Sequence, residues 1–157
     1  MRIVIPKYNL LMAGIFHISD AASIAMHTMA WIAATGHKLR SVELSRITGF
    51  SKSHIAKVLS LLVRAGLLDS DRGPRGGFQL ARPASSITLL EVFEAVEGRL
   101  DEDPCHDPCP LCNASGCLTG GLGRRFNEEF RKYMSLRKLS DFQIDNPVFE
   151  TLNSLQK

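Results

Sequence analysis

Residues 41–83 read SVELSRITGFSKSHIAKVLSLLVRAGLLDSDRGPRGGFQLARP, and the fold turns on how this stretch divides. Ile55, Val58, Leu59 and Leu62 recur at i, i+3, i+4 and i+7, the apolar stripe of a helix that starts at Ser51 and buries one face. The other face carries Lys52, Ser53, His54, Ala56 and Lys57. Upstream, residues 41–48 suit a short helix with Val42, Leu44 and Ile47 inward, and Gly49-Phe50 breaks the chain between the two. Two helices of this length across a Gly-bearing turn predict a helix-turn-helix. Downstream, Leu67-Leu68-Asp69-Ser70-Asp71 and Phe78-Gln79-Leu80-Ala81 are strand-like runs flanking Arg72-Gly73-Pro74-Arg75-Gly76-Gly77. Three glycines, a proline and two arginines in six residues predict a tight hairpin with a cationic tip. The expected fold class is mainly α with a small β-hairpin wing: a winged helix-turn-helix.

On the N-terminal side, residues 19–34 read as a helix with Ser19 as N-cap, Asp20 in the positive first turn and Gly36 past the end. Its packing stripe is Ile24, Ala25, Met29 and Ile32. On the C-terminal side, Thr88 and Glu91 form a capping box for a helix reaching Gly98. Val92, Phe93 and Val96 pack, and Glu91, Glu94 and Glu97 form a solvated face. After a Pro- and Cys-rich loop, Leu122, Phe126, Phe130 and Tyr133 recur at i, i+4, i+8 and i+11, predicting a long helix through about Leu139. So large an apolar stripe in so small a chain needs a partner surface, and the helix reads as a dimerisation helix. The expected division is an N-terminal extension (1–17), a winged-helix DNA-binding domain (18–83), a helix and cysteine-rich loop (84–121), a dimerisation helix (122–142) and a tail (143–157).

The net charge of +3 over 157 residues hides an asymmetry. Residues 1–80 hold ten Lys/Arg against four Asp/Glu, and residues 81–157 hold nine against twelve. A basic first half points toward a polyanion. At 45% hydrophobic and 22% charged residues the chain is an ordinary globular protein, which excludes low-complexity and collagen-like architectures. No apolar run approaches the roughly eighteen residues of a membrane span. Arg2 and Lys7 precede the apolar residues 10–16, but His17, Ser19 and Asp20 interrupt any passage to a cleavage site, so a cytoplasmic chain is expected. Thiols there stay reduced, which favours ligand or sensor roles for the four cysteines over disulfides.

Two constellations carry chemistry. In the first, Ser51, Lys52, Ser53, His54 and Lys57 stand where a recognition helix meets base edges and phosphates in a major groove. Arg72 and Arg75 bracket the wing tip as minor-groove or phosphate probes, and Gly76-Gly77 would let the backbone approach a duplex. In the second, Cys105-x3-Cys109-x2-Cys112-x4-Cys117 places four thiols within thirteen residues. Thiolates so close suit an iron–sulfur cluster or tetrahedral zinc, with redox-active thiols as the third reading. His17, His27 and His37 form no constellation, and sequence neighbours such as Cys105 and His106 seldom share one metal atom. There is no Ser/His/Asp arrangement, phosphate-cradling loop or paired carboxylate, so no enzyme is expected.

The residues from Ser53-His54 to Leu67, the wing with its flanks (72–83), and Ile87-Thr88-Leu89-Leu90-Glu91-Val92-Phe93-Glu94-Ala95-Val96-Glu97-Gly98 resemble the Rrf-two family, dimeric bacterial winged-helix transcription regulators with IscR-like and NsrR-like branches. The resemblance spans roughly residues 18–142. It implies a homodimer on double-stranded palindromic DNA, and a loop holding a [2Fe–2S] or [4Fe–4S] cluster whose state sets DNA affinity. In such families three cysteines and one other ligand are common, which makes Cys105, Cys112 and Cys117 primary and Cys109 the fourth thiol. Ile18-Ser19-Asp20 and the helix from Ser51 are more similar to the nitric-oxide-sensing branch, where an aspartate of the partner's first helix can ligate, so Asp20 is a candidate. The chain departs from the pattern in its seventeen residues before the first helix, its fourth cysteine, and Gly120-Gly121-Leu122-Gly123 where tryptophan often follows the third cysteine. The expected function is a repressor sensing redox state, nitric oxide or iron. The alternatives are the same scaffold with structural zinc or no metal, and an accessory factor of cluster assembly that binds no DNA.

Overall fold

Ser19 opens the first helix as expected, its hydroxyl accepting the Ala22 N–H at 3.1 Å. The computed structural model describes residues 18–73, 76–100 and 121–142. Helix α1 (Asp20–Thr35) ends at Gly36, whose φ of 65° is the left-handed conformation that glycine adopts without a Cβ penalty. The stripe read from sequence is too narrow. Ala22, Thr28 and Trp31 are buried as well as Ile24, Ala25, Met29 and Ile32, because α1 is packed by α2, α3, α4 and β2. Thr28 is tolerated there because its hydroxyl donates to the Ile24 carbonyl at 2.7 Å.

Helix α2 (Ser41–Thr48) buries Leu44 and half-buries Ile47, but Val42 is 37% exposed, contrary to expectation. Two residues from Leu44 is about 200° around the helix, so the two side chains cannot share a face. Helix α3 (Lys52–Arg64) follows Gly49, with Ser51 accepting the His54 N–H at 3.3 Å and with Ile55, Val58, Leu59 and Leu62 buried. Strands β1 (Leu68–Asp71) and β2 (Gly77–Leu80) pair antiparallel, Leu68 opposite Leu80 and Asp71 opposite Gly77. Leu39 adds an isolated bridge to Phe78 that the sequence does not signal, since a one-residue bridge has no periodicity. Its N–H donates to the Phe78 carbonyl at 3.0 Å and its carbonyl accepts the Phe78 N–H at 2.9 Å. The Lys38 ammonium pairs with Asp71 beside it. This closure explains the paired glycines. A Cβ on Gly76 would lie 2.3 Å from the Asp71 carbonyl oxygen, and one on Gly77 3.1 Å from that of Leu39.

Helix α4 (Leu89–Glu97) carries the expected capping box, in which Thr88 N–H donates to Glu91 at 2.8 Å and Glu91 N–H to the Thr88 hydroxyl at 3.2 Å. Its acids are not merely solvated. Glu91 accepts from Arg82 at 2.8 Å, Glu94 from Arg131 at 3.2 Å, and Glu97 from the Ser19 hydroxyl. Helix α5 (Leu122–Leu136) stops three residues short of the expected end. Arg137 and Lys138 run extended instead, bridging Thr88, and Leu139 starts a short 3-10 turn, with Leu89 N–H donating to the Arg137 carbonyl at 2.9 Å and Leu139 N–H to that of Ile87 at 3.0 Å. The α5 stripe also divides. Met134 is buried and Phe130 meets Phe93 edge-on at 5.1 Å, whereas Leu122, Tyr133 and Leu136 are exposed.

Burial pushes the Glu91 carboxyl up, but the Thr88 N–H, the Arg82 and Thr88 hydrogen bonds and the Arg82 charge outweigh it and hold the group below the usual carboxylate value. A lowered folded pKa contributes stability that is present above the unfolded value and lost as pH falls through the folded one. Glu91→Gln is therefore expected to be less stable than the parent in urea at pH 7, with the difference closing as pH falls through the lowered folded pKa. Thr88→Ala should cost about 1 kcal/mol at pH 7 through removal of the cap.

Candidate nucleic-acid interface and cysteine segment

The four buried residues of α3 leave its opposite face to solvent, and that face decides what the helix can touch. Ser51, Lys52, Ser53, His54, Ala56 and Lys57 are all exposed, as the sequence implied. The exposed row continues further. Ser53, Lys57, Ser60 and Arg64 lie at i, i+4, i+7 and i+11, forming one polar ridge along the helix. Ser60 and Arg64 are missed by a reading confined to the helix start, although the same periodicity runs on through them. Arg46 is exposed on α2, the preceding helix of the motif.

Arg72 is exposed immediately after β1, at the base of the wing tip. Arg75 lies outside the described residues. Gly76 is half-buried and Gly77 buried; a Cβ would collide with the Asp71 carbonyl at the first and crowd Leu39 at the second, so the wing's own closure accounts for them. Two of the first half's cations are ion-paired within the scaffold. Arg40 holds Glu43 at 2.8 Å and Lys38 holds Asp71. Although burial raises it, the Glu43 carboxyl is kept below its usual value by hydrogen bonds from the Arg40 side chain and N–H and by the Arg40 charge. These pairs leave Lys52, Lys57, Arg46, Arg64 and Arg72 as the cations of the helix-turn-helix and wing outside that pairing.

Cys105, Cys109, Cys112 and Cys117 lie outside the described residues, and among the described residues no group of three His, Cys, Asp or Glu side chains is placed to hold a metal. His27 and His37 are engaged locally, their Nδ1 atoms 2.7 Å from the Ser23 carbonyl and 2.9 Å from that of Thr35. Asp20 is exposed in the first turn of α1, next to Ser19, whose hydroxyl donates to Glu97 in the last turn of α4. Residues 98–100 then lead into the cysteine segment. The tertiary structure thus sets the start of α1, with Asp20 next to Ser19, beside the last turn of α4.

Residues 18–144 match a family described as Rrf2, iron-dependent transcriptional regulator. The chain belongs to the Rrf2 family. It is 34% identical over 118 residues to protein aau3 of Rhizobium meliloti (strain 1021), across 72% of this chain and 76% of that protein. It is 32% identical over 108 residues to the HTH-type transcriptional regulator IscR of Vibrio atlanticus (strain LGP32), across 69% and 62%. The fold matches that of CymR (YrzC), the global cysteine regulator of B. subtilis, with a TM-score of 0.65, 20% identity, and coverage of 80% of this chain and 95% of that one. As an Rrf2 protein the chain is a transcriptional regulator with a DNA-binding winged helix, and it is not an enzyme.

Replacing Lys57, Arg64 or Arg75 with Ala is expected to weaken binding of a fragment of the chain's own promoter to a similar degree across sequences and to lower the salt slope by about one for each phosphate no longer neutralised. Ser53→Ala and His54→Ala should instead change the preference between sequences at one slope. Fluorescence anisotropy over a salt series measures both, and an unchanged slope removes a cation from the phosphate-contacting set.

Proposed function

We propose that this Rrf2 protein is a homodimeric cytoplasmic repressor whose DNA affinity is set by an iron–sulfur cluster responding to redox state, nitric oxide or iron. The observation that carries the reading is the ridge Ser53, Lys57, Ser60 and Arg64 on α3, flanked by the Arg72-bearing wing in a chain whose family is described as iron-dependent. Ser51, Lys52, Ser53, His54 and Lys57 would meet base edges and phosphates in a major groove, with Arg72, Arg75 and the glycines of the wing at the adjoining minor groove. Leu122, Tyr133 and Leu136 leave α5 an exposed apolar surface suited to a second copy of the chain. A two-fold dimer then reads a palindromic operator with half-sites ~34–36 Å apart.

Cys105, Cys109, Cys112 and Cys117 are the proposed cluster ligands, with Asp20 as an oxygen donor from the first helix of the partner subunit. The donor chemistry suits the group: four soft thiols for iron, and an exposed carboxylate at Asp20. When bound, a cluster supplies a centre that oxidants and nitric oxide attack. The protein's part would be to hold that centre with the cysteines of the segment that joins α4 to α5. Four thiolates equally suit tetrahedral zinc, which is the second reading.

Purification without oxygen, followed by a visible spectrum, iron and sulfide analysis and a promoter-fragment shift with loaded and stripped protein, tests the proposal. Broad visible absorption with matching iron and sulfide, and different affinities for the two forms, are expected. A colourless preparation with stoichiometric zinc ends the cluster reading, and failure to shift DNA at low salt ends the operator reading. Asp20→Ala should shorten cluster lifetime; an equal lifetime leaves the four cysteines as the ligand set.

A further inference from the structure

Glu91, Glu94 and Glu97 sit at i, i+3 and i+6 on α4, and each is engaged by a different part of the chain. Glu91 accepts from Arg82, two residues beyond β2, and Glu97 from Ser19, the N-cap of α1. The densest arrangement surrounds Glu94. Its Oε1 accepts the Leu100 N–H at 3.1 Å and the Arg131 guanidinium at 3.2 Å, while the same Arg131 nitrogen donates to the Leu100 carbonyl at 3.0 Å. Both polar groups of the Leu100 backbone are therefore tied down, one by α4 and one by α5. Leu100 immediately precedes residues 101–120, which contain every cysteine of the chain, and Gly121 beyond that segment is the N-cap of α5.

The neighbouring residues reinforce the knot. Phe93 and Phe130 meet at 5.1 Å beside Glu94 and Arg131, so an aromatic contact and an ion pair lock α4 to α5 together. The Glu94 and Arg131 side chains are 26% and 32% exposed, which shields the pair from solvent more than the 40%/40% Arg82–Glu91 pair. Helix α4 also packs directly on α3. A nine-residue helix is stiff, with Glu91 and Glu94 only about 4.5 Å apart along its axis, so a displacement at one end moves the whole element.

We propose that the Glu94–Arg131 knot at Leu100 is the coupling element of this regulator. It fixes the root of the cysteine segment to α4, and α4 passes any shift of that root to α3 and, through Glu91–Arg82, to the wing. Glu94 and Arg131 are then positioning residues, acting through α4 on groups they do not touch. The assignment rests on the proposed function insofar as the segment is the sensing part and α3 with the wing the reading part. The coupling is reciprocal, because a link that carries a shift one way carries it back.

Amide hydrogen exchange on the full chain tests the knot without DNA. In Arg131→Gln and in Glu94→Gln, Leu100 and the strands β1 and β2 are expected to exchange about threefold faster or more than in the parent, with the centre of α1 unchanged. The double variant should exceed neither single one, since the two residues act as one unit. Acceleration confined to Leu100 and α5, with the wing at the parental rate, would overturn the inference. Should either Gln variant lose its fold, Arg131→Lys, which keeps the charge but replaces the rigid planar guanidinium with an ammonium on a flexible stem, is judged by the same wing amides. Failure of the parent to bind promoter DNA at low salt would sink the operator reading and leave the exchange result standing.

Discussion

Helix α1 is enclosed by α2, α3, α4 and β2, and its burial decides where every other surface can lie. A short chain has one core, and placing a helix at its centre uses the apolar face of each surrounding element. The stripe Ile55, Val58, Leu59 and Leu62 must turn inward, which presents Ser53, Lys57, Ser60 and Arg64 outward. Likewise α4 commits Leu89, Leu90 and Val92 to the core and keeps its carboxylates at the margin, where they reach cations and a hydroxyl from three other elements. The functional surfaces are the complement of one packing solution.

Charge is distributed on the same plan. The basic first half does not present its cations uniformly, because Lys38 and Arg40 are paired with Asp71 and Glu43 within the scaffold. Those pairs help hold the wing and the start of α2, while Lys52, Lys57, Arg64 and Arg72 face outward. In the acidic half, Glu91, Glu94 and Glu97 lie on one helix whose partners come from the wing root, α5 and the N-cap of α1. A +3 total describes neither arrangement.

Much of the fold was legible because its signals are local. Ser19, Ser51 and Thr88 cap helices through their own next turn, Gly36 and Gly49 end helices by a backbone conformation, and the α3 stripe has helical period. The misreadings have two causes. Val42 was set on the wrong side of a helix whose own spacing turns it away from Leu44, whereas the extra buried face of α1 and the early end of α5 depend on which other element lies alongside, and a single window contains no such information. Leu39 joins the wing by one rung, and residues 137–139 leave the helix because residues 87–89 offer them backbone partners. The candidate DNA-reading face was half legible: its start was marked by the helix boundary, whereas Arg64 required following the ridge to its end.

By itself the amino-acid order determined the class of protein: a capped helix-turn-helix, an Arg-bearing hairpin and a compact run of thiols are all patterns of neighbours in the chain. Only the tertiary structure decided what joins them. That Glu94 meets Arg131 across 37 positions, and that Glu97 meets Ser19 across 78, which sets the start of α1 beside the end of α4, are facts of packing. Carboxylates on a helix margin read as solvated until the neighbouring elements are placed, because an ion pair or hydrogen bond forms only where the core has brought its two ends within about 3 Å.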